Sequence, residues 1–229
     1  MNSKKTMAEV KSISPLTENI YKIILLPNEY IDYHAGQYLQ INLNDNQLSY
    51  SIANAPCDLK QYELHIRHNP GHLLNEQLFQ EINNKVPLSI SLPFGNCNVK
   101  HLHPNKPIIF IAGGTGFSPI KAMIEDLIAN KTTENLELFW SARSQADLYM
   151  EDKISNWQKK ALNLKYYPLN SNQTELPLAS AVIEKHKHDL NDWQIVLSGP
   201  FEMAFSIRDN LLAHGALESN LFSDAFGGK

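Results

Sequence analysis

The sequence predicts two domains: a small antiparallel β-barrel over residues 1–101 and an α/β domain with a parallel sheet over residues 102–229. Three observations predict this division. Short β-rich segments fill the first hundred residues, a polar stretch with Pro104 and Pro107 follows, and strands then alternate with helical patterns. Such alternation is typical of a parallel sheet covered by helices.

The barrel is predicted from five short segments separated by turn residues: Asn19–Leu26, Gln37–Leu43, Leu48–Ala53, Tyr62–Arg67 and Pro87–Leu92. The fourth segment alternates most clearly, with Leu64 and Ile66 on one face and Glu63, His65 and Arg67 on the other. About six such strands favour a closed barrel, because closure removes exposed edges. Helical spacing of Leu74, Leu78 and Ile82 predicts one short helix over Leu73–Ile82, lying across an end of the barrel.

The second half predicts five strands and four helices in alternation. The strands are Ile108–Ala112, Leu136–Ser141, Leu164–Pro168, Trp193–Ser198 and Asn220–Ser223. The helices are Pro119–Ala129, Gln145–Leu162, Leu176–Lys187 and Phe201–His214. Ligands of such sheets bind beyond the carboxyl ends of the strands.

Composition and charge exclude several classes of protein. The net charge is −4, and lysines and arginines are scattered, so no nucleic-acid footprint is present. The N-terminus lacks an apolar stretch long enough for a signal peptide or membrane span, and we expect a cytoplasmic protein. Cys57 and Cys97 are far apart and are expected to be reduced, while the nine histidines lack a helical His/Glu motif, so no metal site is expected.

A glycine-rich turn is the most informative local feature. Gly113, Gly114 and Gly116 follow an apolar strand and precede a helical pattern in which Ser118 is a candidate cap and Pro119 suits the first turn. Glycines allow main-chain amides and a helix N-terminus to approach a phosphate or a flat ring. By itself the turn indicates either a dinucleotide site or a tight connection between strand and helix.

Three segments in order carry a family resemblance: Leu48–Ala53, Gly113–Pro119 and Ser198–Met203. Together they resemble the ferredoxin–NADP reductase superfamily. Within it the chain looks most like bacterial NAD(P)H:flavin oxidoreductases, including those that supply reduced flavin in luminous bacteria, and the segments Ala35–Leu39 and Leu221–Phe226 are similar to that subgroup.

The resemblance implies a flavin-binding barrel and a nicotinamide-binding α/β domain, with the two rings stacked in the cleft between them. It implies that Ser51 bonds flavin N5 and that Tyr50 lies against the flavin, although both also fit an ordinary strand. Glu202 is either a coenzyme ligand or a first-turn acid, Met203 is expected mainly in the core, and Phe226 either covers the flavin or docks as a hydrophobic tail. The expected cofactor-binding residues are Tyr50, Ser51, Ile52, His65, Ile66, Arg67, Gly113, Gly114, Thr115, Gly116, Ser118, Pro119, Arg143, Gly199, Pro200, Glu202, Met203 and Phe226.

Three positions depart from the superfamily pattern. Leu48 stands where an arginine grips the flavin phosphate, and the Gly71–Leu74 turn lacks the serine of a second phosphate site. These losses argue against tightly held FAD, with Arg67 or His72 as candidate replacements. Many relatives have cysteine at the position of Ser198. The serine is expected to lower the rate of hydride transfer only modestly.

The expected activity is NAD(P)H-dependent reduction of free riboflavin, FMN or FAD by direct hydride transfer. Arg143 either pairs with the 2′-phosphate of NADPH or lies on the surface, and use of both coenzymes is expected. Reduced flavin could feed a flavin-dependent monooxygenase or another electron acceptor. Two alternatives remain: a reductase that keeps its flavin and serves a ferredoxin or oxygenase partner, and a non-catalytic nucleotide-binding regulatory subunit.

Overall fold

The computed structural model describes residues 3–56, 60–161, 163–170 and 178–227. The first sheet contains six antiparallel strands: β1 (Lys4–Pro15), β2 (Ile20–Pro27), β3 (Tyr38–Leu43), β4 (Asn46–Ser51), β5 (Tyr62–Arg67) and β6 (Leu88–Phe94). Their spatial order is β4-β3-β6-β1-β2-β5. The predicted antiparallel N-terminal domain is therefore confirmed, with strand bounds close to those expected.

The strand β1 is missing from the predicted strands, although it lies between β6 and β2. Its inward residues in the first half are Thr6, Ala8 and Val10, which are small or polar and give little apolar alternation. The neighbouring strands supply most of the apolar surface, so β1 is held by ladder hydrogen bonds on both sides.

The barrel is only partly closed. The edge strands β4 and β5 form no ladder with each other in the described chain; beyond β4, Ala53 N donates to Glu63 O at 2.7 Å. The helix α1 (Leu73–Asn83) covers the interior with Leu78, Phe79 and Ile82, as the apolar spacing predicts. The open seam leaves one side of β4 and β5 facing the second domain.

The second sheet is parallel throughout, as predicted. Its strands are β7 (Ile108–Gly113), β8 (Leu136–Ala142), β9 (Leu164–Asn170), β10 (Gln194–Ser198) and β11 (Leu221–Phe222), in the order β11-β10-β7-β8-β9. Its helices are α2 (Phe117–Ala129), α3 (Glu151–Lys160), α4 (Leu178–His186) and α5 (Phe201–Ala213). Every residue of the central strand β7 is buried. The glycine-rich turn that follows β7 is therefore anchored by a strand in the core of the domain.

One predicted helix begins too early. A 3₁₀ turn at Gln145–Asp147 precedes α3, which starts at Glu151 rather than at Gln145. The chain turns between them because Leu148 is buried in the core while Tyr149 is directed toward the first domain. The expected helix ends Leu162 and Leu176 lie outside the described residues, as does Cys57.

Residues 95–107 connect the two sheets. The last strand of the first sheet ends at Phe94, the next begins at Ile108, and a 3₁₀ turn at Val99–His101 lies between them. The exact boundary at residues 101 and 102 stays a prediction. None of the helices seen in the described ranges is both long and apolar enough to cross a bilayer.

Candidate active site

A cleft of about 800 Å³ lies between the barrel and the carboxyl ends of the parallel strands. Strands β4 and β5 form one wall, and the turns after β7, β8 and β10 form the other. Its lining includes thirteen of the predicted residues: Tyr50, Ser51, His65, Arg67, Gly113, Gly114, Thr115, Gly116, Ser118, Arg143, Gly199, Pro200 and Met203. The fold thus brings together residues from Tyr50 to Met203, which are far apart in sequence, as expected for a strand-end site.

A smaller cavity of about 270 Å³ adjoins this cleft. The two spaces share Ser49 and Ser51 of the barrel and Ser198 and Gly199 of the second domain. Pro119 lines the smaller cavity, together with the C-terminal stretch from Ser223 to Ala225. Ser51 therefore stands where both spaces meet.

The glycine-rich turn is held against the turn after β10. A Cβ at Gly116 would overlap the Ser198 carbonyl group and lie 2.6 Å from the Gly199 nitrogen. A Cβ at Gly113 would overlap the sulfur of Met203. Close approach of the two turns therefore requires glycine at Gly116, where backbone would be met, whereas the Met203 side chain could move away from a Cβ at Gly113.

Gly114 has a different role in the same turn. Its φ is +55°, and a Cβ there would meet nothing within 4 Å, so the turn needs glycine for its backbone conformation and leaves open space beside it. Trp140 Nε1 donates to the Gly114 carbonyl at 3.0 Å. Because the C=O and N–H of a trans peptide point in opposite directions, the Thr115 amide is directed away from Trp140. This geometry suits a ligand that lies against the main chain.

Ser51 and Tyr50 stand at the end of β4. Within the part of the chain that the structure describes, no group pairs with the Ser51 hydroxyl, which is thus available to a ligand. Tyr50 packs against the barrel core while also lining the cleft. Burial raises the pKa of its phenol, with Asn75 opposing the shift, so the ring stays neutral. A free hydroxyl beside a neutral aromatic wall fits a flat heterocycle.

Comparison with known proteins agrees with this geometry. The model of an oxidoreductase NAD-binding domain matches residues 110–209. A CDP-6-deoxy-L-threo-D-glycero-4-hexulose-3-dehydrase reductase from Yersinia pestis is 33% identical over 97% of this chain and 69% of its own length. The chain belongs to the ferredoxin–NADP reductase superfamily. It is an oxidoreductase with an NAD-binding domain.

Two further known proteins match this chain over nearly their own full length. An NAD(P)H-flavin reductase from Vibrio harveyi is 29% identical over 95% of this chain and 97% of its own. A ferredoxin NADP+ reductase structure from Neisseria gonorrhoeae, with bound FAD and NADP, superposes with a TM-score of 0.80 at 13% identity over 97% of this chain and 98% of its own, which shows the fold. The first curated relatives are longer, and the chain spans 59 to 69% of their length.

Four of the predicted superfamily site residues line neither space. Ile52 and Ile66 are 0% and 1% exposed and belong to the barrel core, since alternation along the strand turns them inward. Glu202 is an exposed first-turn acid of α5. Phe226 docks against Phe205 at 5.7 Å between ring centres instead of covering the cleft.

The expectations for Ser118, a candidate helix cap, and for His72, a candidate phosphate anchor, also differ from the structure. Ser118 is not the cap of α2, because the helix begins at Phe117, two residues before the predicted start, with Gly116 in the cap position. Ser118 is buried and lines the cleft instead. His72 is the N-cap of α1, where its Nδ1 accepts from Asn75 N at 3.3 Å. It is therefore occupied in holding the helix start.

The two positions that lack phosphate anchors are used for packing. Leu48 and Leu74 both lie against the hydrophobic core of the barrel. Arg67 lines the cleft, and its Nη1 donates to Asn19 Oδ1 at 2.8 Å. Among the described barrel residues that line the cleft, Arg67 is the one with a permanent positive charge.

The far end of the cleft carries opposite charges. Arg143 is exposed, and Asp147 lines the same wall with its carboxylate accepting from Ser144 Oγ at 2.9 Å. A carboxylate suits a ribose diol, whereas a guanidinium suits a 2′-phosphate. The sequence did not predict that Asp147 lines the cleft, because its position depends on the 3₁₀ turn that precedes α3.

A buried charge network lies beneath the cleft. Glu63 Oε1 accepts from His65 Nε2 at 2.8 Å and from Lys121 Nζ at 3.1 Å, and His65 Nδ1 lies 3.1 Å from the Tyr149 hydroxyl. Burial lowers the pKa of His65 against the opposing effect of Glu63. A neutral His65 then donates to Glu63, which has no proton to give, and accepts from Tyr149. From the sequence, the burial of Lys121 is indicated only by its position among apolar residues of a predicted helix.

Acid should weaken the protein through Glu63. Burial opposes its ionisation, but the hydrogen bond from His65 and the charge of Lys121 outweigh burial and lower its pKa from 4.5 to about 2. A carboxyl group with a depressed pKa stabilises the fold above its unfolded pKa and loses that contribution as pH falls through the folded pKa. We expect Glu63→Gln to lower the free energy of unfolding by roughly 3 kcal/mol at pH 7, with the difference from wild type vanishing between about pH 5 and pH 2.

Urea unfolding at a series of pH values measures this effect. Glu9→Gln is the control, because Glu9 is exposed on β1. A constant gap between wild type and Glu63→Gln across the acid range would contradict the assignment.

With respect to metals, no cluster of three or more His, Cys, Asp or Glu side chains that could hold an ion occurs in the described ranges. Cys97 is a free, half-buried thiol, and burial raises its pKa, which disfavours the thiolate form.

Proposed function

We propose that the protein reduces flavin with NAD(P)H by direct hydride transfer and releases the reduced flavin. The observation that carries the proposal is the cleft in which Tyr50 and Ser51 of the barrel face the Gly113–Gly116 turn and Gly199. The near-full-length likeness to a named NAD(P)H-flavin reductase supports it.

The chain's own residues supply binding and orientation. When bound, NAD(P)H provides the hydride and the flavin accepts it. Ser51 donates a hydrogen bond at the meeting point of the two spaces, and Tyr50 forms a neutral wall against the flavin. The Thr115 amide and the open face of Gly114 receive the nicotinamide nucleotide, while the close approach of Gly116 to Ser198 excludes water from that end.

Flavin is proposed as a substrate rather than a fixed prosthetic group. Leu48 and Leu74 pack into the barrel and present no charge to a flavin phosphate. Arg143 and Asp147 support use of both NADPH and NADH at the other end of the cleft. A cytoplasmic location, which is expected from the sequence, is part of this proposal.

The test is anaerobic mixing of the purified protein with NADH or NADPH and free riboflavin, FMN or FAD, followed by the loss of flavin absorbance. We expect colourless protein to bleach a molar excess of flavin. Protein that bleaches no more than one equivalent, or none, contradicts a released product.

Riboflavin and FMN should be used about equally well. A bidentate arginine contact to phosphate would favour FMN by more than about tenfold, and position 48 does not supply one. The measurement is kcat/KM for each flavin. If FMN is strongly preferred, another cation reads the phosphate, and loss of that preference in Arg67→Gln would identify it.

A reductase that retains flavin for a separate protein acceptor is the second candidate. It is favoured by the 33% identical relative, which is named as the reductase of a dehydrase and is longer than this chain. An oxygenase or a ferredoxin would be such an acceptor. It predicts protein that stays yellow through dialysis, which the same preparation tests.

A further inference from the structure

Lys121 is almost fully buried, yet it does not belong to the lining of either cavity. It is 1% exposed, and its ammonium group donates to Ala53 O at 2.8 Å. The same group contacts Glu63 Oε1 and Glu125 Oε2, each at 3.1 Å. Three acceptors match the three hydrogens of an ammonium group, so the buried charge is fully paired.

These acceptors lie in both domains. Ala53 follows Ser51 by two residues, and Glu63 precedes His65 by two residues on β5. Lys121 and Glu125 lie on α2, the helix that starts directly after the glycine-rich turn. One ammonium group therefore connects three segments: the strand end near Ser51, the strand that contains His65, and the helix that follows the glycine-rich turn.

We propose that Lys121 is a positioning residue that sets the distance between the flavin and nicotinamide half-sites; the inference rests on the proposed function. Hydride transfer depends steeply on the separation of the reacting rings, so a fixed contact between the two walls has a direct effect on rate. Stability alone explains the arrangement poorly, because buried ion pairs are often no more stabilising than apolar side chains of the same size.

The test variant is Lys121→Met, which keeps the length of the side chain and removes its charge. Lys153→Met is the matched control, because Lys153 contacts Glu125 at 2.8 Å from the partly exposed side and reaches no barrel residue in the contacts described. Lys121→Arg tests rescue by a conserved charge.

Three quantities are measured on each variant. They are the NADPH dissociation constant, the single-turnover rate of flavin reduction at saturating coenzyme, and the long-wavelength charge-transfer absorbance of the stacked rings. For Lys121→Met we expect NADPH binding within about threefold of wild type, a rate lowered about tenfold, and a weaker charge-transfer band. Lys121→Arg should recover part of the rate, and Lys153→Met should match wild type.

A purely structural role would give a different result. Rates are expressed per folded molecule, and an unchanged rate and band in Lys121→Met would refute the positioning role. If that variant does not fold, the same measurements are made on the double variant Lys121→Met/Glu63→Gln, in which residue 63 is uncharged and Glu125 keeps its ion pair with Lys153. Wild-type protein that reduces no flavin would refute the proposed function as well, whereas active wild type with an equally active variant refutes only the role of Lys121.

Discussion

The substitution Gly116→Ala should lower the rate of flavin reduction by about 100-fold, because it forces the glycine-rich turn and the turn after β10 apart. Its Cβ would overlap the Ser198 carbonyl and lie 2.6 Å from the Gly199 nitrogen, so backbone rather than a flexible side chain must move. Each turn ends a buried strand of the same sheet, and the displacement reaches the cleft. Overpacking at such a site should also cost about 1–3 kcal/mol of stability.

Single-turnover flavin reduction and thermal unfolding measure the two effects. Gly215→Ala is the matched control: its φ is +96°, and a Cβ there meets nothing within 4 Å, so it adds backbone strain without a clash and lies after α5, away from the cleft. We expect the control to lose some stability and to keep its activity. Wild-type rates in Gly116→Ala would show that the turns need not touch for catalysis.

Ser51→Ala should lower flavin reduction by about 100-fold with little change in NAD(P)H binding, the loss expected when one well-placed hydrogen-bond donor is removed from a reacting centre. Ser51 lines both spaces and its hydroxyl has no protein partner in the described structure, so its removal leaves no buried group unpaired. Stability should therefore be nearly unchanged. The effect should fall on kcat rather than on the coenzyme dissociation constant.

Ser12→Ala is the control for this variant, because Ser12 is an exposed serine on another strand of the same sheet. Stopped-flow reduction at several NADH concentrations separates binding from transfer. Equal activity of Ser51→Ala and wild type would remove Ser51 from the reaction, and a loss confined to NADH binding would move its role to the coenzyme.

The local sequence pattern was sufficient to predict the bounds of an element where its apolar side chains recur with a clear period. The strand Tyr62–Arg67 was predicted at its observed bounds, and α1 within one residue, because apolar spacing and burial agree there. The weakly apolar strand β1 was missed, because its stability depends on partners on both sides. The start of α3 was wrong, because tertiary packing of Leu148 overrides the local helical pattern.

Site residues divide in a similar way. Ser51, Gly113–Gly116 and Gly199 follow from motifs, and the structure places them in one cleft. Ile52 and Ile66 were also expected at the site, but their side chains are buried in the barrel core, so any contact with a ligand would come from their main chain. The contributions of Trp140 and Tyr149 arise from contacts across 26 and 84 positions in the chain, which no local pattern records.

The sequence by itself determined the order of the elements after β1, the two sheet types and the glycine turns, because these depend on short-range periodicity and on backbone conformations that glycine permits. Only the tertiary structure decided how the two walls face each other. Lys121 is one example: its ammonium group donates to Ala53 O and pairs with Glu63 across the domain interface, because a buried ammonium group needs acceptors that only the folded chain supplies.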